Sequence, residues 1–307
     1  MKKRAVLLLL LLAALCLSGC YITVESGNGL LGKDYFTGGA EIENAVENIH
    51  VSWLDGSVLV ETQEGGKLSF SETAKGAIPA EYALAWRVEG KTLYIEYSAT
   101  TVQLSTSLEK ALTLRVPQSW ELKSLDVSST AASQRLERLK ADSISLSSTA
   151  GEVEASLSAK KIRMNTTAGN VHLIQAGSAD EITINTTAGN IKATVDQVKR
   201  LKTDCTSGSV QLYLVNADQV KVSGLNGIAQ VAVEKSLNKL ELSLTAGSAE
   251  IALAPEIGFT AKLDTTIGAV SNAFGTEKWG DGKAQIKADT VAGTISLLKL
   301  EESGIEK

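Results

Sequence analysis

The sequence predicts an all-β protein, a single-stranded β-solenoid of about 19–21 residues per rung with a β-rich N-terminal cap. Three observations lead to this prediction. The motif T-T-A-G-N at Thr166–Asn170 returns at Thr186–Asn190, and looser copies recur along the C-terminal half. Apolar and polar residues alternate on both sides of each motif glycine, as strands with one buried face require. No helical period survives these glycines, so helix is disfavoured.

The N-terminus carries a processing signal. A basic start at Lys2–Arg4 precedes an apolar run, and residues 17–20 read Leu-Ser-Gly-Cys. This order resembles the lipobox of bacterial lipoproteins, and the resemblance implies cleavage before Cys20 and a diacylglycerol on its thiol. Residues 1–19 are then the signal peptide and residues 20–37 a flexible tether. An ordinary secretory signal that ends in cysteine is the alternative.

The charge of the chain limits the classes of partner, and its cysteine content limits the disulfides that it can form. The chain has 30 basic and 35 acidic side chains, and removal of the three basic residues of the signal leaves 27 against 35, a net charge of −8. An acidic surface argues against nucleic acid and anionic lipid headgroups as partners. Cys205 is the only cysteine left besides Cys16 of the signal and Cys20, so no internal disulfide is expected.

The mature chain divides into a cap, a repeat array and a tail. Residues 38–117 are irregular but rich in strand patterns, with an Asp55-Gly56 turn and a hairpin formed by Trp86–Val88 and Leu93–Tyr97. We expect them to form the N-terminal cap and first rungs. Residues 118–300 form the solenoid repeats and residues 301–307 a polar tail. An aromatic insertion with Phe274 and Trp279 is expected to clasp the last turns, although a contact loop is the alternative.

Alignment on the motif glycine sets the register. Positions seven and five before it, and two and four after it, are apolar in nearly every copy and are expected to face the core. The position three before it holds small residues, among them Cys205, which we expect to pack as a small hydrophobe. In T-T-A-G-N the first threonine and the alanine are expected inside and the second threonine in solvent. Ala132 replaces the glycine in the first unit.

One outward column holds threonine in most rungs. It lies two positions before the glycine, beside a second outward column of Ser, Asn and Asp four positions before it. Together the two columns predict a flat polar surface. Either threonine simply suits a pleated surface, or the array recognises a repetitive partner such as a glycan. The threonines, called the corner ladder below, are Thr149, Thr167, Thr187, Thr206, Thr245 and Thr266.

No catalytic constellation is evident. The sequence lacks the common metalloprotease, phosphate-loop and serine-hydrolase motifs, and His50 and His172 are far apart. Polysaccharide lyases and hydrolases on β-helices need clustered carboxylates, and the nearest candidates are Asp264 and Asp289, matched in register. Neither has an obvious basic partner in the sequence. We therefore predict no catalytic, metal or cofactor-binding residues and no cofactor.

Several motifs resemble one family of bacterial domains. They are the Gly-Ser-Val-x-Val of Gly56–Val60, the Leu-x-Val-Pro of Leu114–Pro117 and the closing Thr-x-x-Gly-x-Ile of Thr290–Ile295. Together with the Thr-Ala-Gly alternation, over roughly Ile42 to Leu298, they resemble the β-strand-repeat domain labelled "putative adhesin". The resemblance implies a β-solenoid at the cell envelope, linked in some members to envelope-stress operons, with no established catalytic residues.

The sequence thus predicts a lipid-anchored extracytoplasmic protein with a structural or adhesive role. Its expected partners are the membrane, through the lipid on Cys20, and an envelope glycan or a membrane protein. An accessory role in envelope-stress signalling is the second hypothesis, which a neighbouring gene for a sensor kinase would favour. A polysaccharide lyase or hydrolase is the third, and it requires Asp264 and Asp289 to lie close together and beside cations.

Overall fold

The predicted all-β solenoid is confirmed. A computed structural model describes residues 34–99 and 108–305, which form one 15-stranded sheet of stacked rungs. The signal peptide, Cys20 and most of the tether lie outside the described residues. The strands are β1 (Phe36–Thr37), β2 (Ala40–Ile42), β3 (Asn48–Gln63), β4 (Leu68–Thr73), β5 (Ala85–Glu89), β6 (Thr92–Glu96), β7 (Ala111–Pro117), β8 (Leu122–Ala150), β9 (Val153–Ala168), β10 (Val171–Ala188), β11 (Ile191–Ser207), β12 (Val210–Leu253), β13 (Phe259–Asn272), β14 (Lys278–Trp279) and β15 (Ala284–Lys299). Two 3-10 turns, η1 (Ala80–Tyr82) and η2 (Leu300–Glu302), complete the elements.

Strands β8 to β12 form the parallel stack. Each rung aligns with the next at the same motif position, so that Ile184 pairs with Met164 on one side and Thr203 on the other. The alternation of apolar residues therefore becomes continuous columns inside the solenoid. All three of these side chains are fully buried. Because one buried aliphatic side chain contributes about 1.5–3 kcal/mol, a rung is stable only between two neighbours that cover it.

The motif glycines turn the chain at the corner of each rung. In the repeat rungs their φ angles lie between 134° and 155°, which L side chains rarely adopt. A Cβ on Gly189 would overlap the carbonyl oxygen of Gly169 in the rung before it, and Gly208 stands in the same relation to Gly189. The glycine column is thus needed for close stacking of the backbone as well as for the turn.

The expected orientation of the motif alanine is wrong. Thr166 and Thr186 are buried as predicted, but Ala168 and Ala188 are exposed, like the second threonine before each of them. The strand alternation breaks at the corner, where two successive side chains face outward before the glycine turns the chain. In the first unit Ala132 is buried and stands in register with Gly56 of β3.

The motif asparagine has a role that the sequence pattern did not reveal. Asn170 Oδ1 accepts a hydrogen bond from the backbone N–H of Asn190 (3.0 Å), and Asn190 Oδ1 accepts one from that of Ser209 (2.9 Å). Each asparagine therefore joins its corner to the next rung. The contacts between stacked rungs therefore explain most of the residues that recur in the motif.

The N-terminal end of the stack is closed by antiparallel strands. One edge of β3 pairs in parallel with β8. The other edge of β3 pairs in parallel with β6 and then with β7. The predicted hairpin is confirmed as β5 and β6, and β4 runs antiparallel to β7. The short strands β1 and β2 then cover β5 and β4. This arrangement places two short strands, of two and three residues, at the outer edge, and short edge strands disfavour pairing with another chain.

The last two rungs are interleaved. β15 inserts between β12 and β13, although β13 precedes it in sequence, so β13 forms the end of the parallel stack. The segment between them returns across this end, where Phe274 is buried against Phe259 (ring centroids 5.0 Å apart) and Trp279 (5.1 Å). The clasp predicted for this aromatic insertion is thus present.

Candidate functional site

The corner ladder is exposed in the structure. All six threonines face solvent, beside the exposed alanines of the same corner. Adjacent strands lie about 4.8 Å apart, so Thr149, Thr167, Thr187 and Thr206 form an uninterrupted row of hydroxyls at that repeat. Leu225 then breaks the row, and the insertion of β15 places Val291 between Thr245 and Thr266. The regular part of the ladder is therefore its first four members.

The second polar column is partly engaged in hydrogen bonds within the protein. Asn185 Nδ2 donates to Asn165 Oδ1 (2.8 Å), and Ser243 Oγ donates to Asp289 Oδ1 (3.1 Å). Side chains of this column therefore stabilise neighbouring rungs. The hydroxyls of the corner ladder are more accessible to a partner than the side chains of this second column. A flat face of this kind suits a long repetitive partner better than a small molecule, because small molecules bind in concave pockets.

Asp264 and Asp289 are register partners on β13 and β15, as predicted. The expectation that neither has a basic partner is wrong, because each forms an ion pair with a lysine on its own strand, Lys262 at 3.5 Å and Lys287 at 3.7 Å. All four side chains are largely exposed. The closeness and the neighbouring cations that the lyase or hydrolase hypothesis requires are therefore present, as exposed ion pairs of a kind common on protein surfaces.

The two histidines lie on different faces. His50 stacks on Tyr94 (5.2 Å between centroids) and lies 3.8 Å from Asp126, all on the outward face of neighbouring strands. His172 lies on β10, in a groove described below. Cys205 is buried at the corner, where its thiol contacts the carbonyl oxygen of Gly189 (3.5 Å), and burial raises the pKa of this thiol. A raised thiol pKa is the opposite of what a nucleophilic cysteine requires.

A buried lysine, which no sequence pattern indicated, organises the cap. Lys110 is fully buried, and its Nζ lies 2.6 Å from Glu72 Oε2 and from the carbonyl oxygens of Tyr82 and Tyr97. The ammonium group also lies under the rings of Tyr97 (4.1 Å) and Trp53 (5.0 Å). All three of its protons have acceptors, so Lys110 joins β4, η1 and the end of β6.

Burial and neighbouring charges change the pKa of two groups in this cluster, Lys110 and Tyr97. Burial lowers the pKa of Lys110, and the pairing with Glu72 opposes this effect. Tyr97 donates a hydrogen bond to the buried carboxylate of Asp55 (2.7 Å), and burial together with this bond raises the pKa of Tyr97. The cluster is thus a closed network of paired groups inside the cap.

Glu96 is a buried carboxylate on the outward side of the cap. Burial raises the pKa of Glu96 to about 7, while a hydrogen bond with Ser52 and the charge of Arg87 pull the pKa down. Arg87 is itself buried, with its guanidinium 4.3 Å from the ring of Tyr94. A carboxyl group with such a pKa changes charge near neutral pH.

A groove centred on Arg138 crosses the part of β8 that follows Ala132 and the strands beside it. A β-bulge in β8 places Arg138 opposite no residue of β9, with a φ of 54°. On one side lies an open cavity of about 580 Å³ bounded by Arg135, Glu154, His172 and Ile174. On the other side lies a cavity of about 200 Å³, whose lining includes Pro117, Trp120 and Lys140. We call the two cavities and Arg138 the Arg138 groove.

Only the length of a rung could have indicated this bulge. The unit that begins at Ala132 is one residue longer than the unit that begins at Gly151, and the bulge absorbs the extra residue. Side-chain alternation alone does not show which residue is extruded. The groove was therefore missing from the sequence-based prediction.

Two further findings concern membranes and metals. In residues 34–99 and 108–305 no helix has the length and apolar character needed to cross a bilayer. The same ranges contain no cluster of three or more His, Cys, Asp or Glu side chains placed to hold a metal ion.

The chain is similar to several known proteins. The chain resembles solved structures described as "putative adhesins" from Bacteroides fragilis NCTC 9343 (11% identity, 86% of this chain and 97% of that chain, TM-score 0.44), Parabacteroides distasonis ATCC 8503 (14%, 87% and 98%, 0.46) and Parabacteroides merdae ATCC 43184 (12%, 87% and 97%, 0.46). No curated protein matches the sequence. The family model described as Toastrack DUF4097 matches residues 46–298. The chain therefore belongs to the Toastrack DUF4097 family, whose function is unknown.

Proposed function

We propose that the protein is a lipid-anchored, extracytoplasmic solenoid with an adhesive, non-enzymatic role at the cell envelope. The observation that carries this proposal is the corner ladder, a row of exposed hydroxyls held at the strand spacing by glycine and asparagine contacts between neighbouring corners. Such a row presents the same chemical group at regular intervals along the stack. An envelope glycan, itself a chain of repeated units, is the partner class that this surface suits.

The position of the tether supports display away from the membrane. The described chain enters at β1, in the antiparallel cap, and the tether that precedes it leads back to Cys20. A lipid on Cys20 would place the cap next to the bilayer and the repeat rungs farther out. The corner ladder would then be accessible to envelope polymers.

A non-enzymatic role is favoured by the exposure of the carboxylates that an enzyme would need, although their closeness and their neighbouring lysines are what the lyase or hydrolase hypothesis requires. Asp264 and Asp289 are exposed at the end of the stack, and each is paired with a lysine of its own strand. Ion pairs between exposed side chains are common on protein surfaces, so these pairs do not by themselves indicate an active site.

The anchor is tested by changing Cys20 to Ala in the full-length precursor. Membrane and soluble fractions are compared by immunoblot, and metabolic labelling with a fatty-acid analogue reports acylation. We expect the variant to lose the label and leave the membrane fraction. A variant that remains bound at wild-type levels after a salt wash overturns the anchor.

Adhesion is tested with the mature protein on a glycan array and on cell-wall fractions. The ladder variant replaces Thr167, Thr187 and Thr206 by Lys. The control variant adds the same charge at three exposed glutamines away from the corner, which are Gln197, Gln219 and Gln285. We expect the ladder variant to lose glycan binding and the control to retain it. Absence of binding by the wild-type protein, or equal binding by all three proteins, overturns the ladder as an adhesive surface.

A further inference from the structure

The inward face of the sheet is left uncovered at the outer strands β5 and β1. One column of register partners crosses β3, β6, β5 and β1, and its members are Val51, Ile95, Trp86 and Phe36. The first two side chains are buried and Trp86 is partly buried, but Phe36 is 63% exposed. Val88, which shares a face of β5 with Trp86, is 41% exposed. Two apolar side chains that continue core columns therefore face solvent at the N-terminal end.

The aromatic side chains at this end are held in place by ring contacts. The ring of Phe36 stacks on that of Trp86 (4.7 Å between centroids), and Trp86 packs edge to face with the buried Phe70 (5.4 Å). Tyr35, directly before β1, is 42% exposed. We call Tyr35, Phe36, Trp86 and Val88 the aromatic patch. Exposed apolar side chains grouped in this way indicate a contact surface.

The aromatic patch lies where the chain enters from the tether. Phe36 begins β1, and the 14 residues 20–33 connect the described chain to Cys20. A segment of this length spans at most about 50 Å when fully extended. A lipid on Cys20 therefore confines the patch to the vicinity of the bilayer. Such confinement gives a high effective concentration, so a contact that is weak between free molecules becomes occupied.

The charge of the cap limits the surfaces that can meet the patch. Residues 34–99 contain 11 acidic and 4 basic side chains, a net charge of −7. A second copy of the cap is disfavoured, because two negative surfaces would come together. Anionic headgroups are disfavoured for the same reason. Zwitterionic headgroups carry no net charge, and tyrosine and tryptophan rings favour the interface between headgroups and acyl chains.

We propose that the aromatic patch docks into the headgroup region of a zwitterionic bilayer surface, on the same membrane that holds the lipid of Cys20. This proposal rests on the lipid anchor proposed above and adds a second contact with the membrane. The two contacts fix the orientation of the stack, with β1 and β5 at the bilayer and the parallel rungs β9 to β12 farther out. The direction in which the corner ladder faces then no longer depends on the tether alone.

The experiment reconstitutes the lipidated mature protein into vesicles of phosphatidylethanolamine and phosphatidylcholine. Part of the phosphatidylcholine carries bromine on its acyl chains close to the headgroup, and bromine quenches tryptophan fluorescence on contact. We expect the wild-type protein to be quenched and Trp86→Phe to lose most of this quenching, because Trp86 is the tryptophan of the patch. Trp279→Phe, at the opposite end, should keep it. Absence of quenching in the wild-type protein, or full quenching in Trp86→Phe, overturns the proposal.

The decisive variant combines Phe36→Asp with Val88→Asp, which places charge in the patch and leaves the buried members of the columns unchanged. We expect this variant to lose the quenching. The matched control combines Ile267→Asp with Val291→Asp, which adds the same charge at two exposed apolar residues near the C-terminal end of the stack. The control should be quenched like the wild-type protein. Melting curves followed by circular dichroism verify that both variants are folded, and undiminished quenching in the patch variant overturns the proposal.

A change of lipid tests the proposal on the wild-type protein alone. Replacement of part of the lipid by anionic phosphatidylglycerol should weaken the quenching at low salt, and added salt should restore it, because the cap is acidic. Stronger quenching with phosphatidylglycerol overturns the zwitterionic surface as the partner.

Flotation of the vesicles separates the docking from the anchor. Protein that floats with the vesicles but is not quenched is anchored and not docked. Protein that does not float removes the anchor, and the docking proposal with it. If quenching is absent and the Cys20→Ala protein forms a dimer that the patch substitutions dissociate, the patch binds a second copy and the proposal is wrong.

Discussion

At the scale of single residues, the motif glycines set the tightest constraint. A Cβ on Gly189 would overlap the carbonyl oxygen of Gly169, and the same clash repeats along the column. The clash is with backbone, which cannot rotate away as a side chain can. Neighbouring rungs would have to separate, which would break their hydrogen bonds and expose core side chains.

We therefore expect Gly189→Ala to lower the free energy of unfolding by about 2–4 kcal/mol or more, from backbone overlap and an unfavourable φ. Urea denaturation followed by circular dichroism measures this change. The control is Gly76→Ala, since Gly76 is exposed and a Cβ there would contact nothing within 4 Å. Similar destabilisation by the two substitutions would contradict the stacking role.

Glu96 makes stability depend on pH in a defined direction. Burial raises the pKa of Glu96 from the ordinary 4.5 to about 7 in the folded protein. Between these values the folded state binds more protons than the unfolded state, so the free energy of unfolding falls as the pH rises through this window and is level above it. The loss contributed by Glu96 amounts to at most about 3 kcal/mol.

Glu96→Gln keeps a neutral side chain at every pH, so it should abolish this contribution. We expect the variant to match the wild-type protein near pH 4 and to be more stable at pH 8. Melting temperatures from pH 4 to pH 8 measure the difference. Glu152→Gln, at an exposed position, serves as the control. A constant offset between Glu96→Gln and the wild-type protein across the range would refute the titration of Glu96.

At the scale of elements, the two ends of the stack are closed by different means. The N-terminal end uses antiparallel strands joined by the ammonium group of Lys110. The C-terminal end uses the clasp, with Phe274 packed on Phe259 and Trp279 bonded through Nε1 to the carbonyl oxygen of Pro255 (2.9 Å). The clasp pairs with β13 only at Phe259 and Thr260, so its hold on that strand is local.

We expect Phe274→Ala to open β13 without unfolding the central rungs, because solenoid rungs interact only with their neighbours. The free energy of local opening should fall by about 2–4 kcal/mol. Hydrogen exchange followed by mass spectrometry should show faster exchange in β13 and unchanged exchange in β9 to β11. Phe36→Ala, which removes an exposed aromatic at the other end, should leave β13 unchanged. Uniformly faster exchange would indicate global destabilisation instead.

At the scale of the whole molecule, the stack is asymmetric. The N-terminal edge ends in short antiparallel strands, whereas within the described ranges β13 has no strand partner on its outer side beyond Thr260. Ile267 and Val270 on this strand are 70% and 43% exposed. An open strand edge with apolar side chains favours pairing with another chain.

The mature protein should therefore self-associate reversibly at high concentration through β13. Ile267→Lys should weaken this association, because it places like charges at the contact. Sedimentation velocity across a concentration series measures the effect. Leu225→Lys changes an exposed apolar corner residue away from the end and should associate like the wild-type protein. If Ile267→Lys and the wild-type protein sediment equally at every concentration, β13 is not the site of self-association.

Much of the solenoid could be predicted because the same pattern recurs in successive rungs. The orientation of a residue that is ambiguous in one rung is settled by the matching residues of the others. The alternation at Ile162, Met164, Ile182 and Ile184 recurs at the same distance from a glycine, so each rung supports the interpretation of the others. The exposed threonines of the corner ladder follow from the same register. The exposed alanine could not be predicted from alternation, since the corner interrupts the period.

The sequence by itself determined the rung, its buried columns and the need for glycine at each corner, because these depend on contacts repeated between identical positions of adjacent rungs. Only the tertiary structure decided the interleaving of β15 with β13, the pairing of Lys110 with Glu72 and the bulge that extrudes Arg138. Each of these occurs once and joins residues that no period relates. A repeat makes long-range contacts predictable from local spacing, whereas a unique contact depends on how the whole chain packs.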